Sequence, residues 1–214
     1  MKKRIMAEFE AEKFLSKYIP IVKGRLIKSL DGVNINLIKK YPCVLKIISK
    51  DALHKSDVNG VRIVRSMDEL KKNFIELQDV AKKRGFRLDG ILVQEFVEGK
   101  EIIIGINNDE TFGHVLMLGI GGIFVELLKD VSFRVCPITS HDARSMINEL
   151  EGRNLLHGFR SKPVNLRLLE RTLIKVSKIP MKHRNLLELD INPFIINEKI
   201  GKVVDARMVF WDKK

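Results

Sequence analysis

Cysteine, aromatic side chains and long apolar runs are all scarce in this sequence of 214 residues. No apolar stretch approaches the roughly 20 residues that a membrane-spanning helix needs, so we expect no membrane partner. The basic start, Lys2 to Arg4, runs directly into glutamates, and we therefore expect no signal peptide. Cys43 and Cys136 lie far apart without a neighbouring Cys or His, which favours buried thiols in a cytoplasmic protein and no zinc site.

The chain is strongly basic, with a net charge of +12 and an isoelectric point near 9.7. Such a balance fits nucleic acid, nucleotides, coenzyme A or an acidic protein partner. The basic residues are scattered, however, and the aromatic content of 7% comes without a base-stacking motif. We therefore expect a small phosphate-bearing ligand or a protein partner, and no nucleic acid.

Apolar strands and amphipathic helices alternate along the chain, which indicates an α/β or α+β fold. Capping-box signals at Ser66 and Thr139 each predict the start of a helix, and Gly85 predicts the end of the first one. Helices are expected over residues 7–18, from Ser66 to Gly85, after Thr139 and after Pro163, and strands over 43–48, 61–65, 91–96, 101–106 and 111–118.

The most informative segment is a strand near the C-terminus that carries Glu188, Asp190 and Asn192 at alternating positions. Residues two apart share one face of a strand, so three oxygen-bearing side chains line one face and apolar residues line the other. Pro193 is expected to end the hydrogen bonding of the strand. A following hairpin would bring Asp205 opposite Asn192, which predicts a Mg²⁺ site unless the polar face is simply solvated.

Two further segments carry groups suited to phosphate. Lys46 lies in the middle of an apolar strand, where a buried ammonium needs a carboxylate or a ligand phosphate as partner. The alternative is an edge strand with Lys46 facing water. His54 and Lys55 lie in a polar loop followed by Gly60, and a histidine there is either a phosphoryl acceptor or a solvated loop residue.

A glycine-rich run, with Gly119, Gly121 and Gly122, follows the strand at 111–118. Glycines allow backbone amides to approach a phosphate closely, although the spacing fits neither a Walker loop nor a dinucleotide fingerprint. Arg134 follows, and its forked guanidinium would grip a phosphate. The alternative is a tight turn with solvated charges. The strand Val93–Val97 is of the kind that presents backbone groups to an adenine edge.

Taken together and in order, these segments resemble the ATP-grasp beta subunit of the ADP-forming acyl-CoA synthetases, also called acetate–CoA ligases (ADP-forming). The matching stretches are residues 41–46, 53–58, 92–96, 119–137, 188–193 and 204–207, and the run from Gly121 to Arg134 is highly specific. The resemblance implies an α+β ATP-grasp fold of two lobes, residues 1–96 and 97–214, with nucleotide and metal between them.

The resemblance also implies roles for individual residues. His54 would carry a phosphate between sites, and Lys46 and Arg134 would complete the catalytic set. Nucleotide (ATP or ADP) would contact Lys46, Lys55, Gln94, Glu95, Val97, Glu101, Gly121 and Gly122, with Gln94, Glu95 and Val97 at the adenine and Glu101 near the ribose. Mg²⁺ would be held by Asn192 and Asp205, with Asp190 or Glu188 close by.

The implied reaction is acyl-CoA + ADP + phosphate ⇌ carboxylic acid + ATP + CoA, with this chain moving a phosphoryl group between a phosphohistidine and ADP. A CoA-binding alpha subunit would be its partner in an α2β2 hetero-oligomer. Two other readings remain open at this point: another ATP-grasp ligase subunit resembling succinyl-CoA synthetase beta, and a non-catalytic nucleotide-binding subunit.

Overall fold

The computed structural model describes residues 2–6, 8–30, 41–49, 59–122 and 129–212. The chain divides into two compact units, Val22–Val97 and a larger unit that joins Met1–Ile21 to Glu98–Lys214. Helices and antiparallel sheets make up both, so the α+β class expected from the sequence is confirmed. Among the described residues, no helix is long and apolar enough to cross a membrane.

The elements follow one another in mixed order along the chain. The strands are β1 (Lys3–Met6), β2 (Gly24–Ile27), β3 (Cys43–Ser49), β4 (Val61–Val64), β5 (Leu88–Glu95), β6 (Lys100–Asp109), β7 (Gly113–Ile120), β8 (Val131–Val135), β9 (Leu186–Ile196), β10 (Gly201–Val203) and β11 (Ala206–Trp211). The helices are α1 (Glu8–Leu15), α2 (Met67–Lys83), α3 (Ser140–Glu149), α4 (Arg153–Leu156), α5 (Leu166–Ser177) and α6 (Ile179–Lys182).

The smaller unit is a four-stranded antiparallel sheet in the order β2-β5-β3-β4, with α2 on one face. The helix presents an apolar stripe at helical spacing, and alternate residues of β3 and β5 meet it. This core comprises Leu70, Phe74, Leu77 and Ala81 of α2 together with Cys43, Leu45, Ile47, Ile91 and Val93 of the sheet.

The larger unit is built on a second antiparallel sheet, with the strands in the order β1-β11-β9-β6-β7-β8 and β10 beside β9. One face of this sheet is apolar and packs on α1, α3 and α5, and we call it the helix face. Ile104, Leu116, Leu189 and Met208 lie at its centre and are fully buried. The opposite face of the same sheet carries the polar residues of β9, and we call it the open face.

The N-terminal 21 residues belong to the larger unit, whereas the sequence-based division assigned residues 1–96 to one lobe. Strand β1 pairs with β11, and Ala11 and Leu15 of α1 join the core of the larger unit. These contacts are non-local: residues 3–6 pair with residues 208–211, and a reading of local periodicity does not anticipate them. The second boundary lies between Val97 and Glu98.

The helix signals read from the sequence are largely reproduced. The Ser66 hydroxyl accepts from the amide of Glu69, while the Glu69 carboxylate accepts from the amide of Arg65, one residue earlier than a capping box requires. At α3, Thr139 and Asp142 form the complete reciprocal box.

We expect the α2 core contact to dominate the stability of the smaller unit. Phe74 is 2% exposed, whereas its neighbour Ile75 on the same helix is 54% exposed. Phe74→Ala should therefore lower the free energy of unfolding by about 3 to 5 kcal/mol, and Ile75→Ala should change it by less than roughly 0.5 kcal/mol. Denaturant titration of both variants measures this, and equal losses would contradict the packing described here.

Candidate functional site

The candidate site is centred on β9, which lies between β6 and β11 in the larger unit. Leu189 and Ile191 are buried in the helix face, so Glu188 and Asp190 between them point to the open face. The alternation read from the sequence is thus present over these residues. The pairing of β9 on both sides holds the carboxylates on a rigid element.

Asn192 and Asp205 lie opposite each other, as the sequence predicted. The amide of Asn192 donates to the carbonyl of Asp205 at 3.1 Å, and Ala206 pairs with Ile191 in the adjoining register. The expectation that Pro193 ends the strand is wrong, because β9 continues to Ile196. The register with β6 shifts between Ile102 and Ile104, where β9 accommodates an additional residue in a bulge.

Negative charge is crowded on this face. Burial raises the pKa of the Asp190 carboxyl above its usual value, and the neighbouring carboxylates of Glu188 and Asp205 raise it further, while Arg207 acts in the opposite direction. Arg207 pairs directly with Asp190 across β11 and β9, and its guanidinium lies 3.8 Å from the Glu188 carboxylate. A cation bound here would relieve the repulsion between the carboxylates.

The donor chemistry of this face suits Mg²⁺. Asn192, Asp205 and Asp190 offer an amide oxygen and two carboxylates, the hard oxygen ligands that Mg²⁺ accepts in small number beside water and phosphate. Within the described ranges, no group of three or more His, Cys, Asp or Glu side chains is arranged to hold a metal by itself.

The smaller unit contains the residues that the sequence analysis assigned to the phosphates and the adenine of a nucleotide. Lys46 is 4% exposed on β3, which is an inner strand between β5 and β4, so the alternative of a water-facing edge strand is wrong. Val44 pairs with Gln94, which puts the buried Gln94 side chain on the same face as Lys46, opposite α2. The Glu95 carboxylate accepts from the Lys23 amide at 2.7 Å, which fixes the end of β5.

Glu101 and the two glycines assigned to nucleotide binding meet at one end of β6. The amide of Gly121 donates to the carbonyl of Glu101 at 2.8 Å, and a Cβ on Gly121 would lie 2.8 Å from that of Glu101. Gly122 has a φ of +71°, a backbone conformation that glycine adopts without strain. Val97, at the end of the smaller unit, is buried.

The structure does not bring Arg134 together with the carboxylates of β9. Arg134 pairs with Leu116 in the sheet register and so points to the helix face. There its guanidinium makes a bidentate ion pair with Glu149 at the end of α3, and Glu149 also accepts from the Ser132 hydroxyl at 2.5 Å. The guanidinium holds the pKa of the Glu149 carboxyl below its usual value. The phosphate role of Arg134 stays a prediction.

His54 and Lys55 lie outside the described residues, so their predicted roles stay predictions. Sequence reasoning assigned no role to Arg207, although the same alternation that pairs Asp205 with Asn192 also carries Arg207 to the open face. It also missed the anchoring function of Asp130, whose buried carboxylate accepts from the amides of Glu151 and Gly152 at 2.8 Å each. No local sequence signal marks that contact.

Comparison with known proteins identifies the class to which this fold and donor set belong. The ATP-grasp domain family matches residues 1–210, and the chain is a member of it. The chain is 39% identical over 218 residues to the Pyrococcus furiosus acetate–CoA ligase (ADP-forming) II subunit beta, covering 95% of this chain and 91% of that subunit.

Longer relatives and solved structures give the same family. The chain is 42% identical over 177 residues to the Archaeoglobus fulgidus acetate–CoA ligase (ADP-forming) I, but it spans only 26% of that protein. A structure of the Candidatus Korarchaeum cryptofilum dinucleotide-forming acetyl-coenzyme A synthetase 1 superimposes with a TM-score of 0.84 and 41% identity, covering 97% of this chain and 93% of the other. That structure contains coenzyme A and Mg-AMPPCP, with a phosphohistidine segment pointing towards the nucleotide-binding site.

Removing the Asp190 carboxylate should stabilise the metal-free protein near neutral pH. Folding raises the pKa of Asp190 above 3.8, so the folded state binds more protons than the unfolded chain between the two pKa values. The free energy of unfolding therefore falls as pH rises from the unfolded pKa to the folded pKa of Asp190. Above the folded pKa the loss of stability is complete. Asp190→Asn should raise the Tm in EDTA near neutral pH and have no effect below the unfolded pKa.

Asp109 provides a control of opposite sign. Its carboxylate accepts from the amides of Thr111 and Phe112, which lowers its pKa. Its contribution to stability is present above pH 3.8 and is lost as pH falls through the lowered pKa, so Asp109→Asn should lower the Tm near neutral pH. A Tm of Asp190→Asn at or below that of the wild type near neutral pH would contradict the charge crowding.

Proposed function

We propose that this chain is the nucleotide-binding beta subunit of an ADP-forming acyl-CoA synthetase. The observation that carries the proposal is the donor set on the open face, where the Asn192 amide donates to the Asp205 carbonyl beside the Asp190 carboxyl. Within the smaller unit, the buried Lys46 and Gln94 share one face of the sheet and offer polar groups suited to a nucleotide. Close similarity to beta subunits over nearly their full length supports the same function.

The chemistry assigned to this chain is phosphoryl transfer. In the direction of ATP synthesis the P–N bond of a phosphohistidine breaks, a bond forms between its phosphorus and a terminal oxygen of ADP, and the imidazole nitrogen takes up a proton. Bound Mg²⁺ would neutralise charge on the phosphate oxygens. The role of the chain would be to orient the nucleotide. Lys46 would contact a phosphate, and Asn192, Asp205 and Asp190 would hold the metal.

The acyl-CoA half of the reaction belongs to a partner in this proposal. The related Pyrococcus proteins are named beta subunits, which implies an alpha subunit, and the longer Archaeoglobus relative has room for further domains in one chain. We propose a CoA-binding alpha partner and an α2β2 assembly. The two cysteines are both free thiols, which supports placement in a reducing, cytoplasmic compartment.

The isolated chain should bind Mg-ADP and Mg-ATP but turn over no acyl-CoA. Calorimetry measures nucleotide binding, and an ATP-synthesis assay with and without an alpha partner measures turnover. Asn192→Ala and Asp205→Ala should each weaken Mg-dependent nucleotide binding by about tenfold or more, the loss of one metal ligand, without a large fall in Tm.

Three outcomes would contradict this assignment. Robust turnover by the lone chain would refute the subunit assignment. Failure of the wild-type chain to bind nucleotide would refute the proposed function altogether. Wild-type affinity for Mg-nucleotide in both variants would show that the metal is held elsewhere.

His54 is the proposed phosphate carrier between the active site of the partner and ADP. Neutral imidazole is a competent phosphoryl acceptor near neutral pH, whereas an asparagine amide in its place cannot form the phosphoramidate. In the reconstituted complex, His54→Asn should abolish ATP synthesis from acyl-CoA, ADP and phosphate yet leave phosphorylation of the alpha subunit intact. Radiolabelled phosphate follows both steps, and near-normal ATP synthesis would eliminate the carrier role.

A further inference from the structure

Arg207 stands out on the open face because it is a cation among carboxylates. The register of β11 and β9 pairs it directly with Asp190, and Asp205 precedes it by two residues in the same extended segment. Arg207 therefore shares a face with the residues assigned to the metal. Its backbone position is fixed, since Arg207 pairs with β9 and the neighbouring Ala206 and Met208 are buried in the core.

The guanidinium of Arg207 is held only loosely by the protein. Its Nη1 lies 3.8 Å from the Glu188 carboxylate, and the two side chains are 46% and 45% exposed. An exposed ion pair of this length contributes little to stability, so exchanging Glu188 for another anion costs little. A guanidinium also offers five donors in a planar fork that matches the oxygens of a phosphoryl group.

Arg134 differs from Arg207 in each of these respects. It points to the helix face, and both of its terminal nitrogens are engaged by Glu149. The phosphate-gripping role that the sequence suggested for Arg134 fits the surroundings of Arg207 better. A nucleotide phosphate brought to Asn192 and Asp205 by Mg²⁺ would approach the same face from which Arg207 projects.

We propose that Arg207 is a catalytic residue that contacts the phosphoryl group in transfer, exchanging its ion pair with Glu188 for the non-bridging oxygens of that group. This inference rests on the function proposed above. As the phosphoryl group passes from the phosphohistidine to ADP, Arg207 donates hydrogen bonds to it and remains protonated throughout.

A phosphoryl contact makes a specific prediction about nucleotide binding by the isolated chain. Arg207→Gln should weaken binding of the β,γ-methylene analogue of ATP with Mg²⁺ by about tenfold, the loss of a charge-assisted hydrogen bond, and that of Mg-ADP by less than roughly twofold. Arg207→Lys should fall between wild type and Arg207→Gln, because it keeps the charge and loses the fork.

The matched control is Arg144→Gln. Arg144 makes an ion pair of 3.6 Å with Glu170, and its side chain is 55% exposed, so the control removes a comparable surface ion pair from α3. Arg144→Gln should melt close to the wild type and bind both nucleotides normally. Arg207→Gln should remain folded but melt slightly lower without metal, because it removes the cation that offsets the carboxylates around Asp190. If Arg207 only supported the local structure, Arg207→Gln would weaken binding of Mg-ADP and of the ATP analogue to the same extent.

Turnover of the reconstituted complex provides the second measurement. Arg207→Gln should lower kcat by about 100-fold or more, as removal of a preorganised charge-stabilising donor does, while Arg144→Gln keeps wild-type kcat. Equal weakening of both nucleotides, or wild-type discrimination and turnover in Arg207→Gln, would overturn the inference while leaving the proposed function standing. Failure of the wild-type chain to bind Mg-nucleotide would overturn the proposed function and this inference with it.

Discussion

The register of β9 is the constraint on which the larger unit depends. This strand of 11 residues is paired with β6 on one side and with β10 and β11 on the other. Because side chains alternate with a period of two, burial of Leu189 and Ile191 forces Glu188 and Asp190 to the opposite face. A slip by one residue would bury three oxygen-bearing side chains in the core. The core and the candidate metal site are therefore fixed by the same hydrogen bonds.

The same arrangement concentrates charge that the apoprotein tolerates only at a cost. The raised pKa of Asp190 reflects first its burial and then the carboxylates of Glu188 and Asp205. Carboxyl groups with a pKa raised by burial and by neighbouring charges are characteristic of sites that bind a cation or a substrate. The bulge at Asn192 and Pro193 adds a residue to β9 relative to β6 just where the ligand set lies, in keeping with the frequent occurrence of bulges beside functional sites.

The two arginines show how strongly the face of a sheet decides what a side chain can do. The sequence predicts a phosphate role for Arg134 and assigns none to Arg207. Arg134 lies on the helix face, where Glu149 engages it and where it helps to fix β8 to the end of α3. Arg207 lies on the open face with a weak partner in Glu188. Only the pairing of strands across the whole sheet separates an anchoring arginine from one positioned for a phosphate.

The sequence by itself determined the local elements, because helix caps, apolar periodicity and strand alternation act over a few residues. The helices capped by Ser66 and Thr139 could be predicted in this way, as could the buried strand of Lys46 and the opposition of Asn192 and Asp205. Only the tertiary structure decided which unit receives the N-terminal residues, where β9 ends, and which arginine shares a face with Asp190. These features depend on pairing between strands far apart in the chain, and no local pattern specifies that register.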